Sequence, residues 1–116
     1  MKKVYHLSTC STCQRIIKEL GIRDEFLQQD IKTEQITPEQ IDEMKELAGS
    51  YESLFSRKAM KYRSMGLNDR DLHEDDYRKY ILEEYTFLKR PVFIIDSHIF
   101  IGNSKKNVEE IKTALG

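Results

Sequence analysis

The chain has no long apolar run, only two cysteines, only two prolines and almost no surplus charge of either sign. No window approaches the roughly 20 apolar residues of a membrane-spanning helix. Its 19 Lys and Arg against 20 Asp and Glu leave a net charge of −1. That argues against direct nucleic-acid binding, which needs a clustered basic excess. Glycine and serine form no linker and no segment repeats, so the reading is one domain over 1–116, long enough at 116 residues for a core without staples. The start, Met1-Lys2-Lys3-Val4, is basic, but the apolar stretch Val4 to Leu7 is far too short for a signal peptide. A cytoplasmic location is therefore expected. There, a close cysteine pair serves catalysis, redox sensing or metal binding more readily than structural stapling.

Both cysteines fall in one stretch, Cys10-Ser11-Thr12-Cys13. Before it, Val4-Tyr5-His6-Leu7 is short and β-prone; after it, Ile16, Ile17 and Leu20 recur at helical spacing. Gly21 stops this helix. Residues 25–31 read as a second strand. Thr37-Pro38-Glu39-Gln40 is a helix start with a threonine cap, proline at the first position and a glutamine to complete a capping box. Ile41, Met44, Leu47 and Ala48 make that helix's apolar stripe. From Gly49 to Tyr85 the pattern is helical but broken: Tyr51, Leu54 and Phe55, then Met60 to Met65, then Tyr77, Ile81, Leu82 and Tyr85. Val92-Phe93-Ile94-Ile95 is the strongest strand, and His98 to Ile101 should return beside it as a hairpin. Asn103 or Ser104 caps a last helix with stripe Val108, Ile111 and Leu115. The order predicts an α/β fold of thioredoxin-like organisation, with a four-stranded mixed sheet and an all-helical insertion over about 37–86.

A thiol pair at a strand-to-helix turn has a chemical use. Unpaired N–H groups and the positive end of the macrodipole at a helix N-terminus both favour thiolate over thiol. Ser11 with Gln14 would form a capping box that leaves Cys10 just outside the helix, facing solvent. Cys13, three and four residues before Ile16 and Ile17, shares their inward face. In this scheme Cys10 is the attacking thiolate and Cys13 the resolving thiol. Cys13 also fits the simpler part of a small buried hydrophobe. A structural zinc site takes about four ligands. His6, His73 and His98 alone could supplement the pair, and none has ligand spacing to another ligand, so no metal is expected.

His6-Leu7-Ser8-Thr9-Cys10-Ser11-Thr12-Cys13-Gln14-Arg15, the helical middle, Leu88-Lys89-Arg90-Pro91-Val92 and Ile101-Gly102 together resemble the ArsC/Spx family over nearly the whole chain. The resemblance implies a thioredoxin-like fold with a helical insertion, found in glutaredoxin-coupled arsenate reductases, in related thiol reductases and in Spx, a redox-sensing regulator that binds RNA polymerase. It matches Cys10 to the catalytic cysteine and His6 to a histidine that precedes it in arsenate reductases. It matches Arg90 to an arginine before a cis-proline, here Pro91, and brings Arg57 within one position of a second arginine, with Arg63 a poorer match. It departs in three places. The region of a third arginine reads Gly102-Asn103, Leu7-Ser8 replaces the usual Asn-Pro, and Cys13 offers an internal second thiol where the reductases often borrow one from glutathione. An arginine-poor pocket stabilises a dianionic oxyanion less well, since each guanidinium offers a bidentate fork.

Two functions follow as expectations. The first is a thiol-disulfide oxidoreductase of the arsenate reductase-like type. It would act on a small oxyanion or disulfide with Arg90, Arg57 and His6 as substrate-binding groups, and work as a monomer without a bound cofactor. Glutathione with glutaredoxin, or thioredoxin, would supply electrons. The second is a Spx-like regulator, with the same cysteine pair as a sensor and the RNA polymerase alpha subunit as partner. Against it, the chain ends directly after the last helix and the residues near Gly49 do not form a clear polymerase-contact surface. If His6 faces Cys10, its positive form would lower the thiol pKa. Arg15 is expected on the surface, His73 and His98 to be structural or exposed, residues 68–76 a solvated loop and acidic helix start, and Tyr77, Tyr80 and Tyr85 core or rim.

Overall fold

The computed structural model describes residues 2–22 and 25–115. The chain divides into two compact units, one built from residues 1–34 and 90–116 and the other from Gln35–Lys89.

The first unit is the α/β half. It contains β1 (Lys2–His6), α1 (Ser11–Leu20), β2 (Leu27–Asp30), and, after the second unit, β3 (Val92–Ile95), β4 (His98–Ile101) and α5 (Lys105–Leu115). The four strands form one mixed sheet in the order β2-β1-β3-β4. β1 lies parallel to β2, with His6 opposite Asp30, and antiparallel to β3, with Tyr5 opposite Val92. β3 and β4 form the expected hairpin. This is the thioredoxin-like arrangement that the order of elements predicts. All four β3 residues are buried, as a continuous apolar run in a central strand requires. Val4, Phe93 and Ile95 on one face of the sheet pack into a single cluster with Ile16 of α1 and Val108 and Ile111 of α5, joined by Ile22 and Phe26. Phe26 meets Phe93 edge-on at 5.9 Å between centroids.

Helix ends follow their local codes. Gly21 takes the left-handed conformation (φ 67°) and its N–H returns to the carbonyls of Ile17 and Lys18. Ser104 is the residue that caps α5, its hydroxyl accepting from the Asn107 N–H at 3.1 Å.

The named elements of the second unit are all helical, α2 (Pro38–Ala48), α3 (Met60–Ser64), α4 (Glu74–Glu83) and three short 3₁₀ turns at Glu52–Leu54, Leu67–Asp69 and Tyr85–Phe87, with an isolated antiparallel bridge between Phe55 and Leu88. Its core centres on Phe55, which stacks on Phe87 and tilts against Tyr77, both at 5.0 Å. Tyr77 and Tyr80 are buried core residues and Tyr85 is half-buried. The Thr37–Gln40 capping box forms in both directions at 3.1 Å. Thr37→Ala removes the side-chain half of it and is expected to cost about 1 kcal/mol of unfolding free energy. Chemical denaturation measures this, and an unmoved midpoint would show the box to be idle.

Candidate functional site

The cysteine turn hangs between β1 and α1. The Cys10 N–H donates to the Leu7 carbonyl at 2.9 Å, closing a tight turn, and the Cys10 carbonyl receives the Gln14 N–H at 3.1 Å, opening the helix. Cys10 is thus the N-cap itself, in extended conformation and without a side-chain cap bond. The Ser11–Gln14 capping box expected from the sequence does not form. The Gln14 carboxamide turns back instead, donating from Nε2 to the Leu7 carbonyl and reaching His6 Nδ1, each at 3.1 Å. The reason is that the closed turn, in which the Leu7 carbonyl already accepts the Cys10 N–H, leaves that carbonyl within reach of the Gln14 side chain.

The two thiols occupy opposite environments. Cys10 is partly exposed, whereas Cys13 is fully buried at 0% exposure, on the inward face with Ile16. Burial alone would push the Cys10 pKa up, but the Cys13 N–H and thiol both donate to its sulfur and the Arg90 guanidinium lies beside it as charge and donor, so the net direction is down. For Cys13 burial dominates. With the hydrogen bond it gives to Cys10 and the negative charge there, its pKa is pushed up to about 12 against a smaller lowering by the Leu7 backbone. Of the two, Cys10 is the thiol that ionises first, and Cys13 is the one that keeps its proton.

Arg90 reaches the turn because β3 begins beside the end of β1, and the Arg90–Pro91 peptide bond at its entry is cis. His6 ends β1. Burial pushes its pKa down and the carboxylate of Asp30 pulls it up, with burial prevailing. The neutral ring is favoured, so the cationic His6 considered from the sequence is not the form this environment selects, and the groups that lower the Cys10 pKa are Cys13 and Arg90. Arg57 belongs to the helical unit. It donates to the Glu52 carboxylate at 2.7 Å and to the Tyr77 hydroxyl at 2.9 Å. Arg15, Arg63, His73 and His98 are all exposed.

Two residues at this turn escaped the sequence reading as site residues, Gln14 and Asp30. Asp30, at the end of β2, accepts at Oδ1 from the N–H groups of Ser8 and Lys32, both at 3.2 Å. The Ser8 hydroxyl bonds the same carboxylate and, with those N–H groups, holds its pKa below the usual range. The available signal was topological: parallel neighbours bring the ends of β1 and β2 together, so a polar residue closing β2 must stand beside the turn that follows β1.

Among the described residues no three His, Cys, Asp or Glu side chains gather so as to hold a metal ion, and no helix is long and apolar enough to cross a membrane.

Solved structures share the fold. An arsenate reductase from Vibrio cholerae is 20% identical, with 95% of this chain and 96% of that chain covered and a TM-score of 0.74. An arsenate reductase (ArsC) related protein from Brucella melitensis is 21% identical, covering 94% and 92% with a TM-score of 0.72. A YFFB protein is 17% identical, covering 100% of both chains with a TM-score of 0.80. No curated protein matches the chain. The model of the ArsC family matches residues 5–111, a span that holds the cysteine turn, the helical unit and the Arg90–Pro91 step; this chain belongs to the ArsC family.

Proposed function

We propose that the protein is a thiol-disulfide oxidoreductase in which Cys10 is the nucleophile and Cys13 the resolving thiol. The observation that carries this reading is the contact between the two sulfurs, with their pKa values displaced in opposite directions. Such a pair supplies one ready thiolate and one protected thiol, the division of labour that two-step exchange needs. On a disulfide substrate, Cys10 Sγ attacks one sulfur and the other leaves as a thiolate. Cys13 Sγ then attacks Cys10 Sγ, its proton passing to the second departing thiolate, and two electrons have moved from the protein dithiol to the substrate. On arsenate, Cys10 displaces an oxygen as water to form an arsenic–sulfur ester. Attack by Cys13 on Cys10 Sγ then leaves arsenite and the Cys10–Cys13 disulfide. Glutathione with glutaredoxin, or thioredoxin, would return the dithiol.

Arg90, beside Cys10 and at the helix N-terminus, is the anion-binding group this reading favours first, with His6 at the end of β1 as a hydrogen-bond partner. Arg57, whose guanidinium holds the Glu52 carboxylate, is carried over from the family resemblance as a second anion-binding arginine. The test is arsenate-dependent turnover of the purified protein with glutathione and glutaredoxin, and separately with thioredoxin and its reductase. Turnover that disappears in Cys10→Ser would assign arsenate as a substrate, and the preferred donor would show whether Cys13 resolves the adduct. Failure with both, while a low-pKa thiol still titrates, would remove arsenate as the substrate.

The same sulfur contact favours one other reading, a redox sensor of the Spx kind whose output is binding to RNA polymerase. Capture of the polymerase alpha subunit's C-terminal domain by the oxidised protein, without measurable turnover, would select it.

A further inference from the structure

The hydrogen bonds of Gln14 carry information about its neighbour. A carbonyl oxygen only accepts, so the Gln14 group 3.1 Å from the Leu7 carbonyl is the amide nitrogen. That same Nε2 stands 3.1 Å from His6 Nδ1. An amide N–H₂ is a donor only, hence His6 Nδ1 is the acceptor and presents a lone pair. The imidazole proton then resides on Nε2, and a second proton on Nδ1 would confront the amide hydrogens. Asp30, on the neighbouring strand, is the charged group whose field reaches this ring, and it is engaged by the Ser8 and Lys32 N–H groups.

We propose that Gln14 is a positioning residue of the thiol site: by bridging the Leu7 carbonyl and His6 Nδ1 it fixes the shape of the cysteine turn and holds His6 as the neutral Nε2–H tautomer. His6 then serves a bound substrate as a hydrogen-bond donor and not as a cation, which leaves Arg90 as the positive group in contact with Cys10. A site so furnished suits a disulfide or a singly charged thiol adduct better than a free dianion, because a neutral donor orients an oxygen without cancelling its charge. The tautomer assignment stands on the geometry alone, and its bearing on substrate class rests on the proposed role of Cys10.

Long-range ¹H–¹⁵N correlation spectra of the reduced, full-length protein at pH 7 test it, with the histidines assigned through His73→Gln and His98→Gln. His6 is expected to show an unprotonated Nδ1 and a protonated Nε2. In Gln14→Glu the new carboxylate accepts where the amide donated, so the proton is expected on Nδ1. In Gln14→Ala the tautomers mix, and alkylation of Cys10 slows on the order of tenfold as the turn loosens, with the unfolding midpoint little changed. A wild-type His6 that is cationic or protonated on Nδ1 would overturn the proposal, as would a His6 spectrum unaltered by Gln14→Ala. A Cys10 that is inert in the wild-type protein, beside the expected His6 spectrum, would count against the oxidoreductase reading and leave the tautomer assignment in place.

Discussion

Cys10→Ser is expected to lower thiol-dependent turnover by on the order of a thousandfold or more, because a serine hydroxyl at a helix N-terminus remains un-ionised where the thiol becomes a thiolate. The structure supplies that site with three separate aids: the Cys13 N–H, the Cys13 thiol and the Arg90 guanidinium all favour negative charge on this sulfur. None can bring a hydroxyl into the same state. The companion variant behaves differently. With Cys13→Ser the first displacement still occurs, and the covalent adduct on Cys10 persists because no inner sulfur can expel it. Intact-protein mass spectrometry after mixing with a glutathione or thioredoxin disulfide reads both outcomes. Serine at 10 should leave the mass unchanged, while serine at 13 should add one equivalent of the substrate thiol. Full turnover with serine at 10 would defeat the proposed chemistry, and an adduct that clears spontaneously with serine at 13 would deny Cys13 its part.

Iodoacetamide at neutral pH is expected to modify Cys10 alone. The Cys10 pKa lies below the ordinary thiol value and that of Cys13 is pushed up to about 12. At neutral pH the thiolate fraction of Cys10 therefore far exceeds that of Cys13, and the burial of Cys13 slows its reaction further. Peptide mapping after limited alkylation decides this, and comparable labelling of both cysteines would contradict the environments described. The same displacements set the pH dependence of stability. An unfolded thiol titrates near 9, so below that pH Cys13 is protonated in both states and the fold loses nothing. Above it the unfolded chain releases a proton that the folded chain retains, and stability falls as pH rises towards 12. Cys10 has the opposite sign. Its thiolate is favoured in the fold, and that contribution is lost as pH falls through the folded pKa. Replacing Cys13 by alanine should flatten the alkaline fall, as read from denaturation midpoints between pH 8 and 11.

Where one segment carries its own code, the sequence was sufficient. Thr37-Pro38-Glu39-Gln40 specifies a helix start by bonds confined to four residues, and it forms as read. Val92 to Ile95 is apolar at every position and lies at the heart of the sheet. The placement of Cys13 inside, with Ile16, followed from helical spacing alone. The Gln14 side chain shows where such reasoning stops. Capping boxes compare a residue with another three positions away, but the competing acceptor here is the Leu7 carbonyl, which faces Gln14 only because the turn at Cys10 is closed. Asp30 illustrates the same limit across the sheet, since its bond to Ser8 depends on the parallel register of β1 and β2. The neutral state of His6 depends on burial, which no spacing rule measures.

The pairing of β1 with β3 joins the two ends of the chain's order. The dithiol precedes the whole helical unit in the sequence and Arg90 follows it, yet Tyr5 must find Val92 before the guanidinium stands beside Cys10. Pairings of such long sequence separation form slowly, because the loop-closure entropy must be met first. A nascent or partly folded chain therefore carries two thiols of ordinary reactivity, and the sharpened nucleophile is acquired only as the sheet closes. The rate at which Cys10 gains its reactivity during refolding is accordingly a built-in clock for completion of the fold.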